Sequence, residues 1–186
     1  MKGYKVVTAQ EMARLEELAY EDGSSAAEFM ENAGKGVAEA AENYVLENHL
    51  EKKATLLIGK GNNGGDAYAA GRALIEMGFA VSAYHLYSLD ECSPLSQDQS
   101  ERFKKAGGNI HFVYRNPQKR FDFQGVILDG LVGTGFKGKA EGVLAQTIDR
   151  ANFSNHPILA IDIPSGLNGT TGEVGSVAIR AEQTIF

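Results

Sequence analysis

At 186 residues and 43% hydrophobic content, the chain has the size and apolar fraction of one compact domain. Its formal net charge of -6, with no basic stripe, excludes a general polyanion binder, because nucleic-acid affinity rests on clustered Lys and Arg neutralising phosphates. The single cysteine, Cys92, excludes an internal disulfide and a Cys-rich zinc site and fits a reducing, cytoplasmic compartment, while no apolar run approaches the ~18 residues of a membrane span.

Two helices are predicted first. Thr8 with Glu11, and Ser25 with Glu28, have the capping-box spacing in which a side-chain oxygen serves free N–H groups at a helix start, and Asp22-Gly23 separates the pair. In the second helix Phe29, Met30, Ala33, Val37, Ala40, Ala41, Tyr44 and Val45 recur at spacings of three and four, which predicts one apolar face against a sheet. From residue 54 short apolar runs alternate with helical patterns. Strands are predicted over Ala54–Ile58, Ala80–Tyr87, Asn109–Val113, Val126–Asp129 and Pro157–Asp162, and helices over 66–77, 96–106 and 140–151. Runs 54–58, 126–129 and 157–162 are nearly all apolar, as expected of strands with both faces covered, so the fold class is α/β: a Rossmann-like doubly wound, mostly parallel sheet with helices on both faces. Polar Ser88–Gln99 is expected to be a surface connection, and Ser176–Phe186 a further strand.

Three loops follow three of the apolar strands, and ligands of open α/β sheets bind at the carboxyl ends of strands. The first, Gly59-Lys60-Gly61-Asn62-Asn63-Gly64-Gly65-Asp66, satisfies G-x-G-x-x-G between a strand and a helix. It lacks the acid that would hold a ribose, because Ala80–Tyr87 ends in Leu86 and Tyr87, and it puts the Asp66 carboxylate near the helix start. A conventional NAD dehydrogenase is therefore disfavoured. The second, Asp129 to Lys139, joins a strand-end carboxylate to a flexible backbone with two lysines, a plausible phosphate cradle. The third, Ile161-Asp162-Ile163-Pro164-Ser165-Gly166, sets Asp162 at the end of an apolar strand, a setting suited to acid/base work. Ser165 lacks the glycine of a nucleophile elbow and a neighbouring His. Asn63, Asp129 and Ser165 can each offer one hard oxygen, which suits an alkali or alkaline-earth cation better than zinc or copper. His49, His85, His111 and His156 lack metal-ligand spacing, and Asp90 and Glu91 beside Cys92 disfavour a thiolate.

Together with Glu31-Asn32-Ala33-Gly34 upstream, these three loops resemble the NAD(P)H-hydrate epimerase family, the YjeF N-terminal domain, over essentially the whole chain from Thr8. The resemblance implies a Rossmann-like α/β/α fold, a homodimer, and interconversion of the R and S forms of NADHX and NADPHX, the C6-hydrated nicotinamide cofactors. An ADP- or ATP-dependent dehydratase, fused or separate, would then consume the S form. It further implies that Asn62, Asn63, Gly64, Gly65, Asp66, Gly133, Thr134, Gly135, Phe136, Lys137, Gly138, Lys139 and Asp162 contact the hydrate, that Asn63, Asp129 and Ser165 ligate one K+, and that Asp162 is the catalytic group. Family members normally continue by ~30 residues beyond the segment matching Ala181–Phe186, so a single domain, 1–186, cut short at its C-terminal edge is expected. The competing reading is a non-catalytic nucleotide-binding or scaffold module.

Overall fold

The computed structural model describes residues 25–115 and 121–186, together with Glu11, Arg14, Leu18 and Gly23. The first predicted helix, from Thr8, lies outside the described residues apart from isolated positions. The described elements run α1 (Ala26–Glu47), β1 (Lys53–Ile58), α2 (Asn62–Glu76), β2 (Ala80–His85), α3 (Pro94–Lys105), β3 (Asn109–Phe112), β4 (Val126–Gly130), α4 (Gly142–Asn152), β5 (Ile158–Ile161) and β6 (Gln183–Ile185).

Every strand pairing is parallel, and the sheet order is β3-β2-β1-β4-β5-β6. The order reverses direction between β1 and β4, and such a switch point leaves a crevice at the strands' carboxyl ends. Alternation along β1 divides the core. Leu56 and Ile58 join Val37, Ala41, Tyr68, Leu74 and Phe103 from α1 to α3, whereas Leu57 packs on the other face with Leu144 and Ile148 of α4. Among the described residues the sheet is thus covered on both faces, but unequally, three helices to one.

Helix α1 starts where the capping box predicts. The Glu28 N–H donates to Ser25 Oγ at 3.1 Å, and the Ser25 N–H donates to the Glu28 carboxylate at 2.9 Å. Its buried stripe is Met30, Gly34, Val37, Ala38, Ala41 and Val45; Phe29 and Ala33, expected on that face, are exposed. Helix α3 starts two residues before the sequence pattern suggests, because the Ser93 hydroxyl accepts the Ser96 N–H and Pro94 fits a first helical turn. Among the described residues no helix is long and apolar enough to cross a membrane.

Candidate functional site

Three strand ends build the site. After β1 the Gly59 N–H donates to the Gly130 carbonyl at 3.1 Å, keeping the chain against β4 one residue beyond the strand. A side chain at Gly59 would collide with the Leu131 carbonyl, so only glycine permits this approach. Helix α2 then begins at Asn62, earlier than the predicted residue 66. Asn62 to Asp66 therefore form the opening of the helix and not a loop, and Asp66 stands one turn further in than expected.

At the end of β4, Asp129 is fully buried with three hydrogen bonds. Its Oδ1 accepts the Ser165 hydroxyl at 2.6 Å and the Leu131 N–H at 3.2 Å, and its Oδ2 accepts the Ser165 N–H at 2.8 Å. Ser165 Oγ in turn accepts the Val132 N–H at 3.0 Å, so one serine ties the β4 loop to the β5 loop. Burial pushes the Asp129 carboxyl up to about 6, against the opposing pull of the Ser165 and Leu131 hydrogen bonds. Asn63, whose main-chain carbonyl faces Gly130, the residue after Asp129, is 7% exposed, and neither its Oδ1 nor its Nδ2 makes a hydrogen bond among the described residues. Buried amide atoms without partners cost about 1–3 kcal/mol each, so a site that retains them calls for an explanation.

Asp162, predicted as the last residue of a strand, is instead the first residue beyond β5 and adopts φ 66°, in the left-handed region that non-glycine residues seldom enter. Two bonds hold it there. Its N–H donates to the Ile185 carbonyl at 2.8 Å, and its Oδ2 accepts the Thr134 N–H at 2.6 Å. A side chain at Gly133 would strike that same carboxylate oxygen, so the glycine opens the space the carboxylate occupies.

These elements surround a cleft of about 620 Å³, lined by Lys60, Gly61, Asn62, Asn63, Asp66, Tyr87, Leu131, Val132, Gly133, Thr134, Gly135, Phe136 and Asp162. The volume suits an organic ligand of substantial size. Most of the residues singled out from sequence thus meet in one place. Gly64 and Gly65 are buried behind the cleft, packed toward Gly59 and Met30, and Asp129 and Ser165 lie beneath its floor. Lys137, Gly138 and Lys139 are exposed and fall outside the lining, with Gly138 set against Gly175. Lys60 and Tyr87 do line the cleft, although sequence reasoning passed over them. The signal that could have found them is position: one lies inside the glycine-rich loop, the other at the end of the neighbouring strand. Among the described residues no group of three or more His, Cys, Asp or Glu is placed to hold a metal ion.

Comparison with known proteins gives a consistent result. A family profile described as YjeF-related protein N-terminus matches residues 26–186. The NAD(P)H-hydrate epimerase of Rhodopirellula baltica is 35% identical over 158 residues, spanning 84% of this chain and 63% of that protein. The NAD(P)H-hydrate epimerase of Elusimicrobium minutum is 32% identical, spanning 97% of this chain and 84% of its own. The bifunctional NAD(P)H-hydrate repair enzyme Nnr of Thermofilum pendens is 32% identical across 94% of this chain, which spans only 35% of that enzyme's length. The crystal structure of yeast ynu0 shares the fold, with a TM-score of 0.80 over 97% of this chain and 79% of that one at 21% identity.

Proposed function

The chain belongs to the YjeF-related protein N-terminus family, and from that premise we propose that its cleft binds the C6-hydrates of NADH and NADPH and interconverts their R and S epimers. The observation that carries the reading is Asp162, a carboxylate in the cleft held in a left-handed turn by the Thr134 N–H. Backbone strain and a dedicated hydrogen bond on one acid are what a positioned proton-transfer group requires, and a plain nucleotide-binding surface has no use for them.

The substrate's C6 carbon bears a hydroxyl and a ring nitrogen. Asp162 passes a proton from solvent to that hydroxyl, which departs as water while the nitrogen lone pair moves toward carbon and leaves a flat cation. The Asp162 carboxylate, now charged, stabilises that cation. Water adding to the opposite face forms the new C–O bond and releases its proton to solvent, so the atoms balance and the configuration inverts. Main-chain groups of Gly133 to Phe136 and the opening of α2 at Asn62 and Asn63 line the wall along which the rest of the dinucleotide lies.

The donor set suits a K+ ion: Asn63, whose buried amide atoms make no hydrogen bond among the described residues, sets its main-chain carbonyl against Gly130, the residue after Asp129, and Ser165 is bonded to Asp129. Those three residues would hold it. The bound cation would supply a fixed positive charge that keeps Asp129 ionised and orients the Asn63 amide. The remaining elements of the reading are a homodimer, a cytoplasmic location and supply of the S form to a dehydratase, fused or separate. The naming of bifunctional relatives supports the last of these, and the dimer is checked by light scattering. The rival, a scaffold module, has no need of the Asp162 geometry. Chiral chromatography of separated hydrate epimers, incubated with and without K+, decides between the two.

A further inference from the structure

Lys60 and Tyr87 belong to the cleft but to none of the chemistry assigned above. Tyr87 follows β2, Lys60 follows β1, Gly133 to Phe136 follow β4, and Asp162 follows β5. Three strand spacings separate the β2 end from the β5 end, roughly 14 Å at about 4.8 Å each. If the hydrated nicotinamide stands at Asp162, as the proposed function requires, the adenosine half runs toward Lys60 and Tyr87.

In a sheet of this order, the group at the end of β2 lies beside the adenosine ribose and reads its 2′ position. A carboxylate there accepts a free hydroxyl, whereas a cation takes a phosphate. Here β2 ends in His85, followed by buried Leu86 and then Tyr87, with no carboxylate among them. The nearest acids in the chain turn away. Asp90 accepts the Ser88 hydroxyl, and Glu91 accepts the Ser88 N–H at 3.1 Å, both within one short turn. Lys60, by contrast, forms no ion pair among the described residues and is the one cationic side chain in the cleft lining. Its carbonyl accepts the Ser93 N–H at 3.0 Å, which anchors the backbone, and its Nζ lies 5.5 Å from the centre of the Tyr87 ring. A ring face at that distance steadies an ammonium without neutralising it.

We propose that Lys60, held over the Tyr87 ring, binds the adenosine 2′-phosphate and makes the protein prefer the phosphorylated hydrate, NADPHX, over NADHX. This inference rests on the epimerase reading only for the direction in which the substrate lies. The wild-type chain should bind adenosine 2′,5′-bisphosphate at least tenfold more tightly than AMP in calorimetric titration, with the gap widening at low salt. Lys60→Met should bring the two affinities to within about twofold. Lys60→Glu should reverse the order, because its carboxylate repels the phosphate and accepts the ribose hydroxyl, an effect no loss of packing produces. On hydrates, the ratio of KM values for NADHX and NADPHX should move in step. Equal affinities in the wild type, no binding of the bisphosphate, or a ratio that Lys60→Met leaves in place would each overturn the proposal. Because the titration requires no turnover, a protein that shows the affinity ratio yet fails to epimerise refutes the function and not the 2′-phosphate site.

Discussion

Two buried polar clusters sit within the same sheet, and they differ in one respect that separates structure from chemistry. Under α2, the Tyr68 hydroxyl lies 2.6 Å from His85 Nδ1, His85 Nε2 lies 3.2 Å from Cys92 Sγ, and the thiol reaches the Ser88 carbonyl at 3.4 Å. A neutral His85 lets all three bonds run in one direction, each donor meeting one acceptor, and burial pulls its pKa down to about 4. Burial, and then Glu91 and Asp90, push the Cys92 thiol up. On the other side of β1, the Asp129 and Ser165 pair also closes on itself, but Asn63 beside it keeps two buried atoms unpaired and Asp162 above it holds a left-handed backbone. The first cluster has a Cys, a His and a Tyr in contact, which on residue types alone resembles catalytic machinery. Its satisfied bonds mark it as packing. Between these two clusters, unmet bonding capacity, more than the presence of titratable groups, separates the site from packing.

Substitutions on either side should separate the two clusters most clearly. The largest effect is expected at Asp162. Asp162→Asn should lower epimerisation by about 10²- to 10⁴-fold with the melting temperature nearly unchanged, measured by chiral chromatography and calorimetry. Asp129→Ala strips the Ser165 hydroxyl and N–H and the Leu131 N–H of their acceptor, so a loss of about 3 kcal/mol in denaturant unfolding is expected, together with any stabilisation by K+. Tyr68→Phe removes one buried bond of the closed cluster and should cost about 1–2 kcal/mol while leaving epimerisation at the parent rate.

The slope with pH is the most gradual effect, and there the clusters pull in opposite directions. Asp129 titrates near 6 when folded and near its ordinary value of about 4 when unfolded. Its contribution is therefore fully present below about pH 4 and is lost as the pH rises through 6. His85, at about 4 folded and about 6.5 unfolded, contributes stability above pH 6.5 that is lost as the pH falls toward 4. In potassium-free buffer the two slopes should largely cancel between pH 4 and 6. Asp129→Asn removes one of them, so that variant should lose stability on acidification across this window more steeply than the wild type, by up to about 1.4 kcal/mol per pH unit.

Much of this was legible in the sequence where burial leaves a compositional trace. Strands β1, β4 and β5 are continuous apolar runs because helices or loops cover both their faces, and the Ser25 and Glu28 spacing places the start of α1 correctly. The start of α2 was missed because Gly64 and Gly65 read as loop formers. Packing against Gly59, Met30 and Ser96 holds them in a helix that propensity alone would not extend that far. Helical spacing puts Phe29 on the apolar face because it gives an angle but no partner, and Gly34 sits in the buried stripe instead. In the site, Asp162 was visible as an acid after an apolar strand, but its left-handed turn depends on Thr134 and Ile185, which are distant in sequence. Lys60 and Tyr87 carry no periodic signal and become a pair only when β1 and β2 lie side by side.

The most direct test of the central claim starts from one pure epimer. Incubated with the protein and K+, (R)-NADPHX should convert to a mixture of R and S at a rate proportional to protein concentration, and the Asp162→Asn protein should leave it near the uncatalysed rate. If the wild-type protein leaves the pure epimer unchanged, or if Asp162→Asn equilibrates it as fast as the parent, the assignment of this cleft and of Asp162 is wrong.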